Sequence, residues 1–460
     1  MKKIAVISEH ASPLTAAGGI DSGGQNIYVA NIAQQLARLG YAVDVFTRRE
    51  SPFAPAVVEM SPGVRVVHVT AGPQSIVPKE TLLPYMKDFA EYLIGFFSSE
   101  KRLGAPYDVM HANFFMSGFA ALQVKKVLRI PLVTTFHALG KVRRLHQGSA
   151  DGFPDERFGI EEALAHQSDR IVAECPQDCD DIVNLYGGDR RRIATVPCGF
   201  DAAEFFPIDK KAARAALNWD ADAFSVLQLG RLVPRKGIDN VIRGVAALRR
   251  THRQEAKLYI VGGNSEEADE IATPEISRLR AIARDEGVAD CVTFVGRRGR
   301  QSLHLCYSAC DVFVTTPWYE PFGITPVEAM ACARPVIGAA VGGIRSTVLN
   351  GVTGYLVPPR DANALALRLG HLASDEARAT QLGLAGRARA TSLFTWAGVA
   401  RQLCNVYRDA LASVRATETA RITAVAGKRK RAKLALVGRQ AAPAIPVRSV
   451  AANQSQRRGR

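Results

Sequence analysis

The chain has 460 residues, 47% hydrophobic and 22% charged, with a formal net charge of +15. That length suits roughly two or three domains, and the composition is that of a globular protein and far from a disordered one. No apolar run approaches the roughly 18–20 residues that cross a bilayer, and the opening Met1-Lys2-Lys3 leads only into the short run Ile4 to Ile7 before Glu9 and His10. A membrane span and a signal peptide are both set aside, and a cytoplasmic protein is expected.

The charge is unevenly placed. Eleven of the fifteen net charges belong to residues 421–460, which hold 11 Lys or Arg and no Asp or Glu, leaving +4 on the rest. Such a basic segment, poor in large apolar residues, is expected to be a disordered tail. It is either a solvated extension or a contact for an anionic membrane face, with no specific nucleic acid expected. The eight cysteines form no CxxC pair, which argues against both a disulfide framework and a thiolate metal site. His304, Cys306 and Cys310 lack a second cluster and read as packing, so no metal is expected.

In chain order, short apolar runs alternate with helical patterns, the signature of parallel sheets wrapped by helices. Strands are predicted at Lys3 to Ser8, Tyr41 to Thr47, Asp108 to Asn113, Pro131 to His137, Arg170 to Ala173 and Ile193 to Val196. A helix runs between the first two, with Val29, Ile32, Ala33 and Leu36 on one face and Gly40 as its stop. A second series starts with the strand Phe224 to Leu229. Strands follow at Lys257 to Val261, Cys291 to Val295, Asp311 to Thr315, Pro335 to Gly338 and Gly354 to Val357. The expected architecture is α/β: one Rossmann-like domain over 1–205, a second over 206–393, a helix over 394–415 and the basic tail over 416–460. Two such sheets leave a cleft between their strand C-termini, where open α/β sheets bind ligands.

Four loops could carry chemistry. Gly18-Gly19 and Asp21-Ser22-Gly23-Gly24-Gln25-Asn26 run into the first helix, as a plain turn or as backbone that meets an anion. This loop has neither the GxGxxG dinucleotide spacing nor a P-loop pattern. Arg231 and Lys236 follow the strand Phe224 to Leu229, where two cations would neutralise a leaving diphosphate without a metal. The run from Glu320 to Glu328 offers two carboxylates. Thr325, Pro326 and Glu328 also fit the N-cap, N1 and N3 places of a capping box, so Glu328 reads either as a cap or as an acceptor for sugar hydroxyls. His137 ends one predicted strand, while His10 and His111 sit at the ends of two others, so three imidazoles are expected to converge.

Together these segments resemble glycosyltransferase family 4, a group with the two-domain GT-B fold that includes sucrose-phosphate synthases and inositol-phosphate glycosyltransferases. The strongest pieces are SPLTAAGGIDSGGQNIYVANIAQQLARLGYAVDVFTRR, TFHALG, VPCGFDAAEFFP, GRLVPRKGID and EPFGITPVEAMACARPVI, spread over nearly the whole chain to about residue 415. The resemblance implies an enzyme that moves a hexose or N-acetylhexosamine from a UDP- or GDP-linked donor with retention of configuration. The acceptor would be a sugar, a sugar phosphate or a lipid-linked sugar, and no cofactor is implied. By the same resemblance, Gly23 and Gly24 meet the donor phosphate, Arg231 and Lys236 clamp the diphosphate, and Glu320 holds the transferred sugar. Gly323, Ile324 and Thr325 supply groups at a helix start, Glu328 takes the ribose, Arg297 borders the base, and His137 stands beside the donor sugar. For the acceptor side, His10, Asn26, Lys79, His111, Arg143 and Arg144 are the candidates. Phe114 and Ala138 depart from the hydroxyl-bearing residues of inositol-phosphate enzymes, which argues against that acceptor. Two other functions share these features: a GT-B nucleotide-sugar epimerase, and a non-enzymatic anion-binding protein.

Overall fold

The computed structural model describes residues 2–15, 23–416 and Thr419. The basic tail and the loop residues 16–22 lie outside the described residues. Residues 1–411 form one compact unit. Within it the first sheet contains β1 (Lys3–Ile7), β2 (Ala42–Arg48), β3 (Val57–Ser61), β4 (Val64–Val69), β5 (Val109–Asn113), β6 (Leu132–Thr135), β7 (Arg170–Ala173) and β8 (Ile193–Thr195). Its order is β3-β4-β2-β1-β5-β6-β7-β8, parallel except for the edge hairpin β3–β4.

The second sheet contains β9 (Phe224–Leu229), β10 (Ala256–Val261), β11 (Val292–Gly296), β12 (Val312–Thr315), β13 (Val336–Ala339) and β14 (Gly354–Val357). Its order, β11-β10-β9-β12-β13-β14, is the doubly wound one, with the reversal between β9 and β12. The central strands are continuous apolar runs because helices cover both faces. All five residues of β1 are buried, and so are all four of β12 and of β13. Each Ile or Val sealed this way contributes roughly 1.5–3 kcal/mol of transfer free energy.

The helix Gly24–Arg38 buries Tyr28, Val29, Ile32, Ala33 and Leu36 against the first sheet and ends before Gly40. It begins where β1 has delivered the chain to the C-terminal edge of its sheet. On the second sheet, the helix Ile238–His252 follows β9 in the same way and buries Val241, Val245 and Leu248. Both connections place loops and helix starts at the cleft.

The chain then returns to the first domain. Phe200 N–H donates to Phe394 O at 2.7 Å, Trp396 N–H donates to Phe200 O at 3.2 Å, and a helix runs over 396–416, starting two residues later than expected. Trp396 is buried edge-on to Tyr28, with ring centroids 5.8 Å apart. This last helix is therefore part of the first domain's core, a partner that helical periodicity alone does not name.

Candidate functional site

A cavity of about 440 Å³ lies between the two sheets, lined from both domains. It gathers Gly23, Gly24 and Asn26 from the start of the first helix, His10 after β1, His137 after β6, Lys79 from the 3-10 turn Lys79–Thr81 and Arg143 from the helix Gly140–Gln147. From the second domain come Arg231 and Lys236 after β9, Arg297 after β11, and Glu320, Gly323, Ile324, Thr325 and Glu328 after β12. Among the described residues, eight Lys or Arg side chains line it against three Glu, so their field favours an anion.

The centre of the cavity is an ion pair. Lys236 Nζ bonds Glu320 Oε2, joining the loop after β9 to the loop after β12. Burial pulls the Lys236 ammonium below its ordinary value, opposed by Glu320 and reinforced by Arg235 and Arg231. Glu320 is seated by a backbone fit: Gly343 N–H donates to its carbonyl at 3.0 Å. A Cβ on Gly342, whose φ is +43°, would stand 2.0 Å from that same carbonyl oxygen. Across the gap, the backbone of Gly23 faces Arg231, whose Cδ would be 3.9 Å from a Cβ there. Gly24 faces Ile324 in the same manner at 3.5 Å. The start of the first helix and the loops of the second domain therefore approach to within van der Waals reach of each other here.

The helix Ile324–Ala331 corrects the capping-box expectation. Gly323, with φ +93°, is its N-cap, so Thr325 falls at the second helical position and makes no cap bond. Glu328 lies a turn inside, buried, with Oε2 2.9 Å from Tyr307 OH and Oε1 3.3 Å from Arg300 Nη1. Burial pushes its carboxyl up, against the pull of Arg300 and Tyr307. The helix instead presents the free N–H groups of its first turn to the cavity.

Three further expectations change. His111 is in the middle of β5, wholly buried, with Nδ1 2.8 Å from Tyr407 OH and Nε2 2.8 Å from Thr135 Oγ1. Burial, with the neighbouring His137, lowers it to about 3, and it lies behind the cavity wall as a structural group. Only His10 and His137 of the three imidazoles reach the cavity. Arg144 also stays outside it, paired with Asp155 at 2.7 Å and lying over the Phe158 ring. His137 itself lies two residues past β6, in a turn rather than at the strand's end.

Others keep their place but with part of their chemistry spent. Asn26 Oδ1 takes the Gly23 N–H at 3.0 Å and its Nδ2 donates to Ser12 O, so its amide fastens the glycine turn. Arg143 is held by Asp151 at 2.8 Å over the Phe153 ring. Lys79 Nζ lies 3.2 Å from Glu80. Sequence reasoning missed Glu174 and Asn113, which grip His137, and Tyr319, whose hydroxyl takes Gln147 Nε2 at 2.7 Å across the cleft. The acid in Ala173-Glu174-Cys175, just past a correctly read strand, was a signal that could have found the first of these.

Two facing Rossmann-type domains around an anion-favouring cavity define a protein of the GT-B fold. The chain belongs to glycosyltransferase family 4. The Glycosyltransferase Family 4 profile matches residues 22–204, and the profile for glycosyl transferases group 1 matches residues 209–389. It is 37% identical to a D-inositol 3-phosphate glycosyltransferase of Actinosynnema mirum over 78% of this chain and 85% of that one. A second D-inositol 3-phosphate glycosyltransferase, from Acidothermus cellulolyticus, is 36% identical over 93% and 94%. Among solved structures, the sucrose-phosphate synthase of Thermosynechococcus elongatus superposes with a TM-score of 0.81 at 34% identity, covering 90% of this chain and all of that one. The catalytic domain of starch synthase IV from Arabidopsis thaliana shares the fold at a TM-score of 0.63 and 15% identity, over 89% and 98%. These relatives lend no support to the epimerase or to a non-enzymatic role. The protein is an enzyme that transfers a glycosyl group. No helix among the described residues is long and apolar enough to cross a membrane.

Proposed function

We propose that the enzyme takes a hexose from a nucleoside diphosphate sugar, UDP- or GDP-linked, and attaches it with retention to a small phosphorylated acceptor. The observation that carries this is the Lys236–Glu320 pair at the mouth of the helix Ile324–Ala331, opposite Gly23 and Gly24. In that setting Arg231, Lys236 and the first-turn N–H groups hold the diphosphate and stabilise the charge it gains on leaving. Glu320 then exchanges part of its bond to Lys236 for hydroxyls of the transferred sugar. Glu328, with a spare lone pair on each oxygen, accepts the ribose hydroxyls, and Arg297 and its neighbours border the base.

The transfer breaks the bond between the anomeric carbon and the β-phosphate oxygen, and the acceptor oxygen bonds that carbon on the same face. The acceptor's proton passes to the departing phosphate oxygen. Both electron pairs and the proton are thereby accounted for without a metal, a cofactor or a carboxylate nucleophile. For the acceptor, two lines of support agree. The names of the relatives, D-inositol 3-phosphate glycosyltransferase and sucrose-phosphate synthase, share a phosphorylated polyol or sugar, and Lys79 and Arg143 line the first domain's side of the cavity. Phe114 and Ala138 line the same side of the cavity.

Thermal shift with a panel of UDP- and GDP-sugars tests the donor. One base family should raise Tm, by the roughly 3 kcal/mol that a ligand at a hundred times its Kd adds. Lys236→Ala should abolish that rise. No rise with any nucleotide sugar would overturn the reading.

A further inference from the structure

His137 is gripped at both ring nitrogens. Glu174 Oε1 lies 2.8 Å from Nδ1, and Asn113 Oδ1 lies 3.0 Å from Nε2. The Asn113 amide is oriented by its own donor, Nδ2, which reaches His111 O at 3.2 Å and Ile7 O at 3.4 Å. Its oxygen, purely an acceptor, is thus the atom turned towards the imidazole. A partner at each nitrogen fixes the plane and the tilt of the ring. Burial pushes the Glu174 carboxyl up, but the charge and hydrogen bond of His137, with a bond from Cys198 Sγ at 3.1 Å, outweigh it and leave the carboxyl below its ordinary value.

The backbone here is as unusual as the ring's setting. His137 has φ +57°, and Ala138 N–H closes back on Phe136 O at 2.6 Å, a three-residue turn around a residue in the left-handed region. Phe114, beside it through a bond from its N–H to Thr135 O at 2.8 Å, has φ +87°. Strained residues of this kind persist only where the surroundings over-determine them. The side-chain grip on His137 is that over-determination, and both His137 and Ala138 line the cavity.

We infer that Glu174 and Asn113 are positioning residues: they hold the His137 ring at both nitrogens, so that its turn is presented to the transferred sugar. The inference rests on the glycosyl-transfer reading of the cavity. Charged and titratable groups surround the ring. His111 faces it from β5, Tyr28 from the first helix with ring centroids 4.8 Å apart, and Glu174 from the loop after β7. Cys198 follows β8, and Lys236 and Glu320 stand in the same cavity.

The test begins with a measurement that needs no turnover. Imidazole 15N NMR of the full chain, with the His137 signal assigned by its loss in His137→Asn, should show both ring nitrogens hydrogen-bonded, and in Glu174→Gln the Nδ1 signal should move. That variant should lower kcat about tenfold or more, as misplacement of a positioned group does, with donor KM changed less than about threefold. Glu174→Asp should recover part of the loss. An Nδ1 signal unmoved in Glu174→Gln would overturn the inference, and so would wild-type kcat in that variant. Because the NMR state is read without substrate, failure of the glycosyl-transfer reading and failure of the anchor are told apart.

Discussion

The Tyr407 hydroxyl lies 2.8 Å from His111 Nδ1, tying the last helix to the middle of the first sheet across 296 positions of sequence. Both residues are fully buried. Tyr407→Phe removes one partner and strands a buried ring nitrogen, which costs about 1–3 kcal/mol. Urea unfolding should show that loss, whereas ending the chain at residue 393 should remove Trp396 and Tyr407 together and yield no folded first domain.

His111 also sets a pH dependence. Its folded value, lowered to about 3, lies below its unfolded value of about 6.5, so between these the unfolded chain binds more protons. Stability from this group is complete above about pH 6.5 and is lost as pH falls towards 3. Chemical unfolding across pH 4–7 should therefore slope more steeply for the native enzyme than for His111→Gln.

The clamp makes a prediction with an internal control. Lys236→Ala strips the diphosphate of a cation that is strongest in the transition state and should cut kcat by about 10²–10³. Arg144→Ala touches only the surface pair with Asp155 and should leave kcat within about twofold. Steady-state kinetics on the two variants separates a cavity lined with working cations from a general loss of positive charge.

Gly237 links the clamp to the fold. Its φ is +65°, and a Cβ would stand 2.0 Å from Thr316 O, in the segment that leads from β12 to Glu320. Gly237→Ala combines left-handed strain of about 1–2 kcal/mol with a backbone clash. It should lower stability by at least about 2 kcal/mol and weaken donor binding, both readable by calorimetry.

Strand runs such as Phe224–Leu229 and Val312–Thr315 were legible because a parallel strand buried along nearly its whole length is a short apolar run between turn residues. The helix Phe115–Leu128 was missed since it is buried nearly all round and shows no stripe. The hairpin β3–β4, around Pro62-Gly63, is an edge feature whose half-exposed strands carry weak patterning. In the site, Arg231, Lys236 and Glu320 could be read because each follows a strand. The N-cap reading of Thr325 and the cap alternative for Glu328 fail because Gly323 starts the helix two residues early. His111 and Arg144 could be placed only by their partners Tyr407 and Asp155, which lie beyond the reach of local pattern.

The most direct measurement is the stoichiometry of transfer: incubate the enzyme with the donor that raises its Tm and a panel of hexose and inositol phosphates, then quantify nucleoside diphosphate and glycosylated product together. One acceptor should give equal amounts of both, with the donor's anomeric configuration kept in the product and the signal gone in Lys236→Ala. Donor consumed without any glycosylated product, or turnover undiminished in Lys236→Ala, would contradict the assignment.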